Sequence, residues 1–175
     1  DRGYTGNGSS SYINSGFNPS TAGGAYVQNS AHLGLWSRTN AQSAAIHGGR
    51  TLAAVAELLL RIRDASDVVL FRANQNAGTG IAAASTNSSG HFVGRRSASN
   101  AIAALRNGVS LGTGTDVSAG LPNANIFFGA LSTAGIAGSF STYEMAAGHF
   151  GSSLDNTEAL DTYNALQTYM TAVGA

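Results

Sequence analysis

Short stretches in which apolar and polar residues alternate recur along most of the chain. In one of them, Leu33 and Leu35 fall on one face, and His32, Trp36 and Arg38 fall on the other. A period of two residues predicts a β-strand with one buried face. About ten such stretches, at a spacing of roughly 8–12 residues, predict an all-β sandwich or jelly roll.

The clearest turn signal is Asn107-Gly108, which lies between two alternating stretches. Both residues tolerate the positive φ that a two-residue type I′ turn requires twice. The turn predicts three facing pairs: Arg106 with Val109, Ala104 with Leu111, and Ile102 with Thr113. It also predicts that Ile102, Ala104, Val109 and Leu111 share one apolar face. Leu105 should then lie on the face opposite Leu111, because a one-residue slip turns every side chain over.

Several other stretches are predicted as strands, and one of them is ambiguous. Residues 52–63 are rich in helix formers, yet their apolar positions alternate, and we interpret them as a strand. The remaining predicted strands are residues 11–17, 68–74, 79–85, 91–97, 123–131 and 140–150.

The last segment changes to a helical period. Asp155 is followed three residues later by Glu158, which is typical of a capping box. Apolar residues then recur at helical spacing: Leu160, Tyr163, Leu166, Met170 and Val173. Gly174 stands where a C-terminal cap is expected. The pattern predicts one amphipathic helix, packed on the sandwich or on a neighbouring chain.

These elements predict an all-β fold: an antiparallel two-sheet jelly-roll sandwich with one C-terminal amphipathic α-helix. No repeat of fixed length and no linker is evident, so we expect a single domain over residues 1–175. The chain begins at Asp1 without a signal-like segment, and we expect a processed piece or a fragment of a longer protein.

Charged residues are few, at 10% of the chain against roughly 25% in typical domains. The net charge is zero, and the longest run of basic residues is Arg95-Arg96, so we expect no nucleic-acid binding. No apolar run approaches the roughly 20 residues that span a bilayer, so we expect no membrane insertion. Because charged groups are few and balanced, we expect a ligand to be bound through uncharged groups, and we expect the affinity to change little with salt concentration.

Three stretches of the sequence resemble a known family. They are GHFVGRRSASNAIAALRNGVSL, NANIFFGAL and SLDNTEALDTYNALQTYMTAVGA, and the opening GYTGNGSSSYINSGFNPSTAGG and SAHLGLWSRT are similar to the front half of the same group. The family is the concanavalin A-like, or laminin-G-like, jelly-roll domain of bacteriophage structural proteins and related bacterial proteins. The resemblance implies two packed antiparallel sheets and the binding of glycans or other receptors.

Two short motifs suggest chemistry that their context does not support. Residues 108–112 match the G-x-S-x-G nucleophile elbow, but Ser110 lies in the returning strand of the predicted hairpin rather than between a strand and a helix. Residues 78–83 match the dinucleotide fingerprint G-x-G-x-x-G/A, but no acidic residue occurs between Asp67 and Asp116. We interpret both as turn and strand residues.

Glycoside hydrolysis requires two carboxylates that face each other across the bond. Glycosidases of the resembling fold carry an E-x-D-x-E pattern, which this chain lacks. Its glutamates, Glu57, Glu144 and Glu158, are isolated in sequence. We therefore expect a protein that is not an enzyme, with a polysaccharide-cleaving enzyme on the same fold as the alternative.

The sequence offers no clear metal site and no cofactor site. It has no cysteine, and His32, His47, His91 and His149 lack ligand spacing, so zinc is not expected. The histidines are interpreted as structural or surface groups. Calcium is the remaining alternative, through the loop oxygens of Asp64, Asp67, Asp116 and Asn123.

The best candidate for ligand binding is the polar face of residues 30–38. Trp36 is the only tryptophan, and a sugar can stack its apolar face on an aromatic ring while planar polar side chains bond its hydroxyls. His32 and Arg38 would supply those bonds. The alternative is that Trp36 fills the core or a subunit contact.

These observations favour a binding and structural module of a phage virion or cell surface. Its expected partners are a host cell-surface glycan or another receptor, other virion proteins and a second copy of the chain in a homo-oligomer. A purely architectural decoration protein without a ligand is the further alternative.

Overall fold

Two β-sheets face each other across an apolar layer, and a helix lies on the outer face of one of them. The structure is a computed structural model that describes residues 3–174; Asp1, Arg2 and Ala175 of the predicted domain lie outside the described residues. The predicted all-β sandwich with a C-terminal helix is confirmed.

Most of the described chain is organised into short strands. The strands are β1 (Tyr4–Thr5), β2 (Ile13–Asn14), β3 (Ala31–Ser37), β4 (His47–Leu52), β5 (Val55–Arg61), β6 (Val68–Gln75), β7 (Ile81–Ala84), β8 (Gly90–Ala98), β9 (Ala101–Arg106), β10 (Val109–Gly114), β11 (Phe127–Phe128), β12 (Leu131–Thr133), β13 (Ile136–Gly138) and β14 (Glu144–Gly151). The helices are α1 (Pro19–Ala22) and α2 (Asn156–Ala172).

The first sheet has six strands in the order β1-β14-β3-β8-β9-β10. All of its pairs are antiparallel. In this order, only the pairs β8-β9 and β9-β10 are formed by strands that are consecutive in sequence. The other neighbours, such as β3 and β14, are far apart in sequence and are joined by long crossovers, as in a jelly roll.

The second sheet has eight strands, with the path β13-β12-β4-β5-β6-β7 and with β11 pairing both β2 and β4. Its pairs are antiparallel except β12-β4, which runs parallel. The residues 52–63 are strand rather than helix, as predicted, but a turn at Ala53-Ala54 divides them between β4 and β5.

Two predicted strands are shorter than the sequence pattern indicated. Of residues 11–17, only β2 is a regular strand; beyond it, the Ser15 N–H still donates to the Ile126 carbonyl and the Ile126 N–H to the Phe17 carbonyl. Residues 123–131 contain β11 and the start of β12, separated by Gly129 with a positive φ of 82°. Positive φ is easily adopted by glycine and breaks the strand at that point.

The core lies between the two sheets. Leu33 and Leu35 of β3 point into it, as the alternation predicted, and pack in the same cluster as Phe71 of β6 and Phe92 of β8. All four side chains are fully buried. Each such burial contributes roughly 1.5–3 kcal/mol relative to exposure.

The central hairpin forms, but its register differs from the prediction beyond the turn. Arg106 faces Val109 as expected. A β-bulge between Ser110 and Gly112 then shifts the pairing, so Gly112 rather than Leu111 faces Ala104, and Gly114 rather than Thr113 faces Ile102. An extra residue in one strand is the defining feature of a bulge.

Three of the four residues predicted to share the apolar face of the hairpin do so. Ile102 and Ala104 lie in the core with Leu111 against them, whereas Val109, the fourth, is 68% exposed. Leu105 packs on the outer face with Ala159 of α2. The predicted placement of Leu105 and Leu111 on opposite faces is therefore confirmed.

Helix α2 begins with the predicted capping box. Asp155 accepts a hydrogen bond from the Glu158 N–H at 2.8 Å, and Glu158 accepts one from the Asp155 N–H at 2.7 Å. The predicted stripe of the helix is confirmed at Met170, which is buried, and at Tyr163 and Leu166, which are half-buried. It is wrong at Leu160 and Val173, which are exposed, and Ala159 is buried instead. A small residue at position 159 fits the close approach to Leu105 better than leucine does.

The structure describes two helices within residues 3–174. Neither of them has the combination of length and hydropathy needed to cross a bilayer.

Candidate functional site

A polar cleft of about 360 Å³ opens where the end of β3 meets α2. The end of β3, the start of β8, the β9-β10 turn and one residue of α2 contribute its walls. The lining residues are Trp36, Ser37, Arg38, Ser89, Gly90, Arg106, Asn107 and Gln167. We call it the β3-α2 cleft.

The structure brings two of the three predicted site residues to this cleft. Trp36 and Arg38 both line it, because they are two residues apart at the end of β3, with Arg38 directly after the strand. His32 lies near the start of β3, away from the cleft, where its ring is buried and bonds Ser152 and His149. Three lining residues were not predicted as site residues: Arg106, Ser89 and Gln167.

Two aromatic rings stack on Trp36. The ring centroid of His91 lies 6.0 Å from that of Trp36, and the ring centroid of Tyr163 of α2 lies 5.9 Å from it. Only 7% of Trp36 is exposed. An open stacking platform was expected, but the helix covers the ring, so Trp36 takes the packing role that was its alternative and presents little surface to the cleft.

Asn107 fixes the floor of the cleft through the turn that the sequence predicted. It adopts a positive φ of 52°, its Oδ1 accepts a hydrogen bond from the His91 N–H at 2.9 Å, and its own N–H donates to the His91 carbonyl at 2.8 Å. Gly90 lies so close that a Cβ there would be 2.5 Å from Oδ1 of Asn107. The turn and the start of β8 are thereby held together.

Arg106 extends from the end of β9 into the cleft. Its Nε and Nη2 donate to the Ser89 carbonyl at 3.0 and 2.8 Å, and its guanidinium carbon lies 5.7 Å from the centroid of the Phe92 ring. Partial burial lowers the pKa of Arg106 from its ordinary value. Within residues 3–174, no carboxylate lies within 4.0 Å of it.

Arg38, on the opposite wall, has a counter-charge. Its Nη1 lies 2.6 Å from Oε1 of Glu144 on β14, and its N–H donates to the Glu144 carbonyl at 2.8 Å. Of the two arginines, only Arg38 is paired with a carboxylate within residues 3–174, so the cleft has a local positive charge despite the zero net charge of the chain.

A chain of three histidines lies beneath α2, beside Trp36. His32 Nε2 is 2.9 Å from His149 Nδ1, and His149 Nε2 is 2.7 Å from His91 Nε2. The chain is possible because Gly34 lies between them on β3: a Cβ at this residue would be 2.1 Å from the His149 ring. His149 on β14 thus reaches across β3 to His91 on β8.

The Ser152 carbonyl sets the direction of the protons in this chain. It can only accept, so His32 donates from Nδ1 at 2.5 Å, His149 donates from Nδ1 to His32, and His91 donates from Nε2 to His149. This assignment keeps all three rings neutral and leaves His91 Nδ1 buried without a partner.

Burial keeps this histidine chain uncharged. It lowers the pKa of His91 to about 4 and that of His149 to about 3, and it also lowers the pKa of His32. Positive charge on one ring would further lower the pKa of its neighbours. The geometry gives the histidines a structural role under the helix, as the sequence interpretation expected.

A second cavity, of about 380 Å³, is apolar and lies elsewhere, between β14 and β11. Its walls include Leu35, Phe128, Met145 and Phe150. Its lining contains no charged side chain, so it lacks groups that would orient a polar ligand.

The four proposed calcium ligands have other partners. Asp64 accepts from the Ser66 and Val68 N–H groups, Asp67 from Arg63, and Asp116 from the Gly80 N–H, while Asn123 Oδ1 accepts from the side chain of Asn18. In the part of the chain that the structure describes, no group of three or more His, Asp or Glu side chains is placed to share a metal ion.

Comparison with protein-family models finds no match, and no curated protein matches the sequence. Among solved structures, the chain aligns with domain 4 of AbnA, a GH43 extracellular arabinanase from Geobacillus stearothermophilus, in complex with arabinotriose. The alignment has a TM-score of 0.37 and 16% identity, and it covers 77% of this chain and 65% of that one, less than two thirds of its length. The two structures differ too much for that trisaccharide to indicate a ligand here.

Proposed function

We propose that this protein is a non-enzymatic glycan-binding module and that the β3-α2 cleft holds the glycan. The observation that carries the proposal is the composition of the cleft: seven of its eight lining residues are polar or glycine, and none is Asp or Glu. A cleft of about 360 Å³ falls within the usual range for small-ligand sites, roughly 300–1,000 Å³.

The side chains of the cleft suit a polyhydroxylated ligand. Sugar hydroxyls both donate and accept, and planar amide and guanidinium groups bond them in fixed directions. Arg106 Nη1 has no acceptor within the described residues, and the Nδ2 of Asn107 is likewise without one. Gln167 is exposed on α2, where its amide makes long bonds to Tyr163 and Thr171 that a ligand can replace. These groups face the same space and can bond one sugar ring together.

The positions of the glutamates support a binding role over a polysaccharide-cleaving one. Glu57 is buried and paired with Arg50 and Arg72, Glu144 is paired with Arg38, and Glu158 forms the capping box of α2. Each is held by a structural partner, and a general acid needs a carboxyl group free to give its proton to the leaving group.

The biological setting that we propose is a phage virion or a cell surface, where the glycan would belong to the host cell. This part of the proposal is supported by the sequence resemblance to phage jelly-roll domains. Other virion proteins and a second copy of this chain would be its assembly partners.

A glycan array with two helix variants tests the proposal. Gln167→Ala should lower binding several-fold without changing stability, because Gln167 is exposed and lines the cleft. Thr168→Ala is the matched control, since Thr168 is exposed on the same helix but does not line the cleft. Equal binding by both variants would place the glycan elsewhere. Absence of any glycan binding would favour an architectural role, and shortened products after incubation would indicate an enzyme.

A further inference from the structure

Arg106 differs from the other arginines of the described chain in how its charge is accommodated. Arg38, Arg50, Arg61, Arg63 and Arg72 each pair with a carboxylate. Arg95 bonds the Leu154 carbonyl and the Asn156 side chain, and Arg96 bonds several carbonyl oxygens. Arg106 bonds a single carbonyl, that of Ser89.

The bonds to Ser89 also leave the guanidinium in a fixed orientation. Nε and Nη2 share the one carbonyl, and the group lies over the Phe92 ring, so Nη1 is left without an acceptor in the described protein. A guanidinium that is partly removed from water and has no counter-ion gains more from an anion than from a neutral hydroxyl, because charge-assisted bonds are roughly twice as strong.

Building on the proposed function, we infer that the glycan bound in the β3-α2 cleft carries an anionic group, a carboxylate or a sulfate ester, which pairs with Arg106. Asn107 and Gln167 then bond the hydroxyls of the same sugar. This differs from the uncharged contacts expected from the net charge, because a zero sum over the chain conceals a local excess of positive charge in the cleft.

Glu144 sets the strength of this interaction from the other wall. Its carboxylate neutralises Arg38 at 2.6 Å and repels an incoming anion. Removing the charge of Glu144 frees Arg38 for the ligand, whereas removing the charge of Arg106 leaves the cleft neutral. The two changes should therefore act in opposite directions on an anionic ligand.

The experiment compares polymers that differ only in charge. Polygalacturonate is paired with its fully methyl-esterified form, and dextran sulfate is paired with dextran, so the two pairs distinguish carboxylate from sulfate recognition. Binding is measured by calorimetry at several salt concentrations for the wild type, Arg106→Gln, Arg106→Lys and Glu144→Gln. Arg61→Gln is the control, because it removes the same charge from the other sheet.

The wild type should bind one charged polymer at least ten-fold more tightly than its uncharged partner, and added salt should weaken this binding. Arg106→Gln should abolish the preference, Arg106→Lys should retain part of it, and Glu144→Gln should raise affinity several-fold. The last variant supplies the test if Arg106→Gln does not fold.

Three outcomes would overturn the inference, and they separate it from the proposed function. Binding of neutral glycans with no preference for charge would leave a glycan-binding module whose ligand is uncharged. An equal loss in Arg61→Gln would show a general charge effect instead of a site. Failure to bind any glycan, charged or neutral, would remove the proposed function as well.

Discussion

The indole ring of Trp36 lies almost parallel to the phenol ring of Tyr163, with 5.9 Å between their centroids and an angle of 6° between their planes. This contact joins the outer face of the six-stranded sheet to α2. Since the indole also stacks on His91 of β8, Trp36 links the helix to the sheet.

We expect Trp36→Ala to lower the free energy of unfolding by roughly 3–5 kcal/mol, the usual cost of truncating a buried aromatic residue. Tyr169→Ala is the control, because Tyr169 is 59% exposed on the same helix, and it should cost at most about 0.5 kcal/mol. Urea unfolding measures both. A stable Trp36→Ala protein that has lost glycan binding would instead restore Trp36 as a stacking platform.

Truncation of Leu105 and truncation of Leu111 should differ in their cost in stability and in their effect on α2. Leu105→Ala should cost roughly 2–5 kcal/mol, because the side chain is fully buried under α2. Leu111→Ala should cost less, since Leu111 is only partly buried at the edge of the core. Proteolysis near the C terminus should increase in the Leu105 variant alone. Equal release of the helix in both variants would contradict their placement on opposite faces.

Gly34→Ala should break the histidine chain. Its φ is not in the left-handed region, so the effect is steric: the new Cβ would be 2.1 Å from His149 Nε2. The His149 ring must move, and its bonds to His32 and His91 are lost. We expect a lower melting temperature and shifted histidine signals in the NMR spectrum. Gly138→Ala, which meets no atom within 4 Å, should leave both unchanged.

The protein should lose stability in mild acid. The histidine chain stays neutral in the folded state, since the pKa of His91 is lowered to about 4 and that of His149 to about 3. Unfolded histidines take up a proton near pH 6.5, so stability is complete above that pH and falls as the pH decreases toward 4. Between pH 6.5 and 4.5 the loss should be roughly 2 kcal/mol for each of His91 and His149.

Urea unfolding at several pH values measures this loss. The Asp67 carboxylate contributes little in that range, because hydrogen bonds from Gln42 and Arg63 hold its pKa below its usual range and its effect appears at lower pH. His47 is buried but is not one of the three hydrogen-bonded histidines, and burial lowers its pKa to about 4. His47→Gln should therefore remove only the part of the pH dependence of stability that His47 itself contributes. Constant stability from pH 7 to 4.5 would show that the histidine chain is charged or open.

Local chemistry was sufficient to predict several elements. The Asn107-Gly108 turn formed because its two residues adopt positive φ, and α2 begins at Asp155 because that side chain and Glu158 satisfy free N–H groups within one turn. The alternation around Leu33 and Leu35 identified the buried face of β3. These features depend on residues a few positions apart, which is the distance over which a sequence pattern carries information.

The site depended on residues that are far apart in sequence. Trp36 and Arg38 were expected together because they are neighbours on one strand, but Arg106 and Gln167 reach the same cleft only after β9 and α2 are placed against β3. The pairing of His32 with His149 likewise requires β14 to lie beside β3. No spacing in the sequence indicates which strands become neighbours in a jelly roll.

The strand and helix types, the main turn and the polar face of β3 follow from local residue patterns, because backbone preferences and side-chain period act locally. Packing between distant segments instead placed this face under a helix, introduced the bulge beside Leu111, and left Arg106 without a carboxylate partner within residues 3–174. Burial, register and charge pairing are set by which distant segments pack together, and that packing is a property of the whole chain.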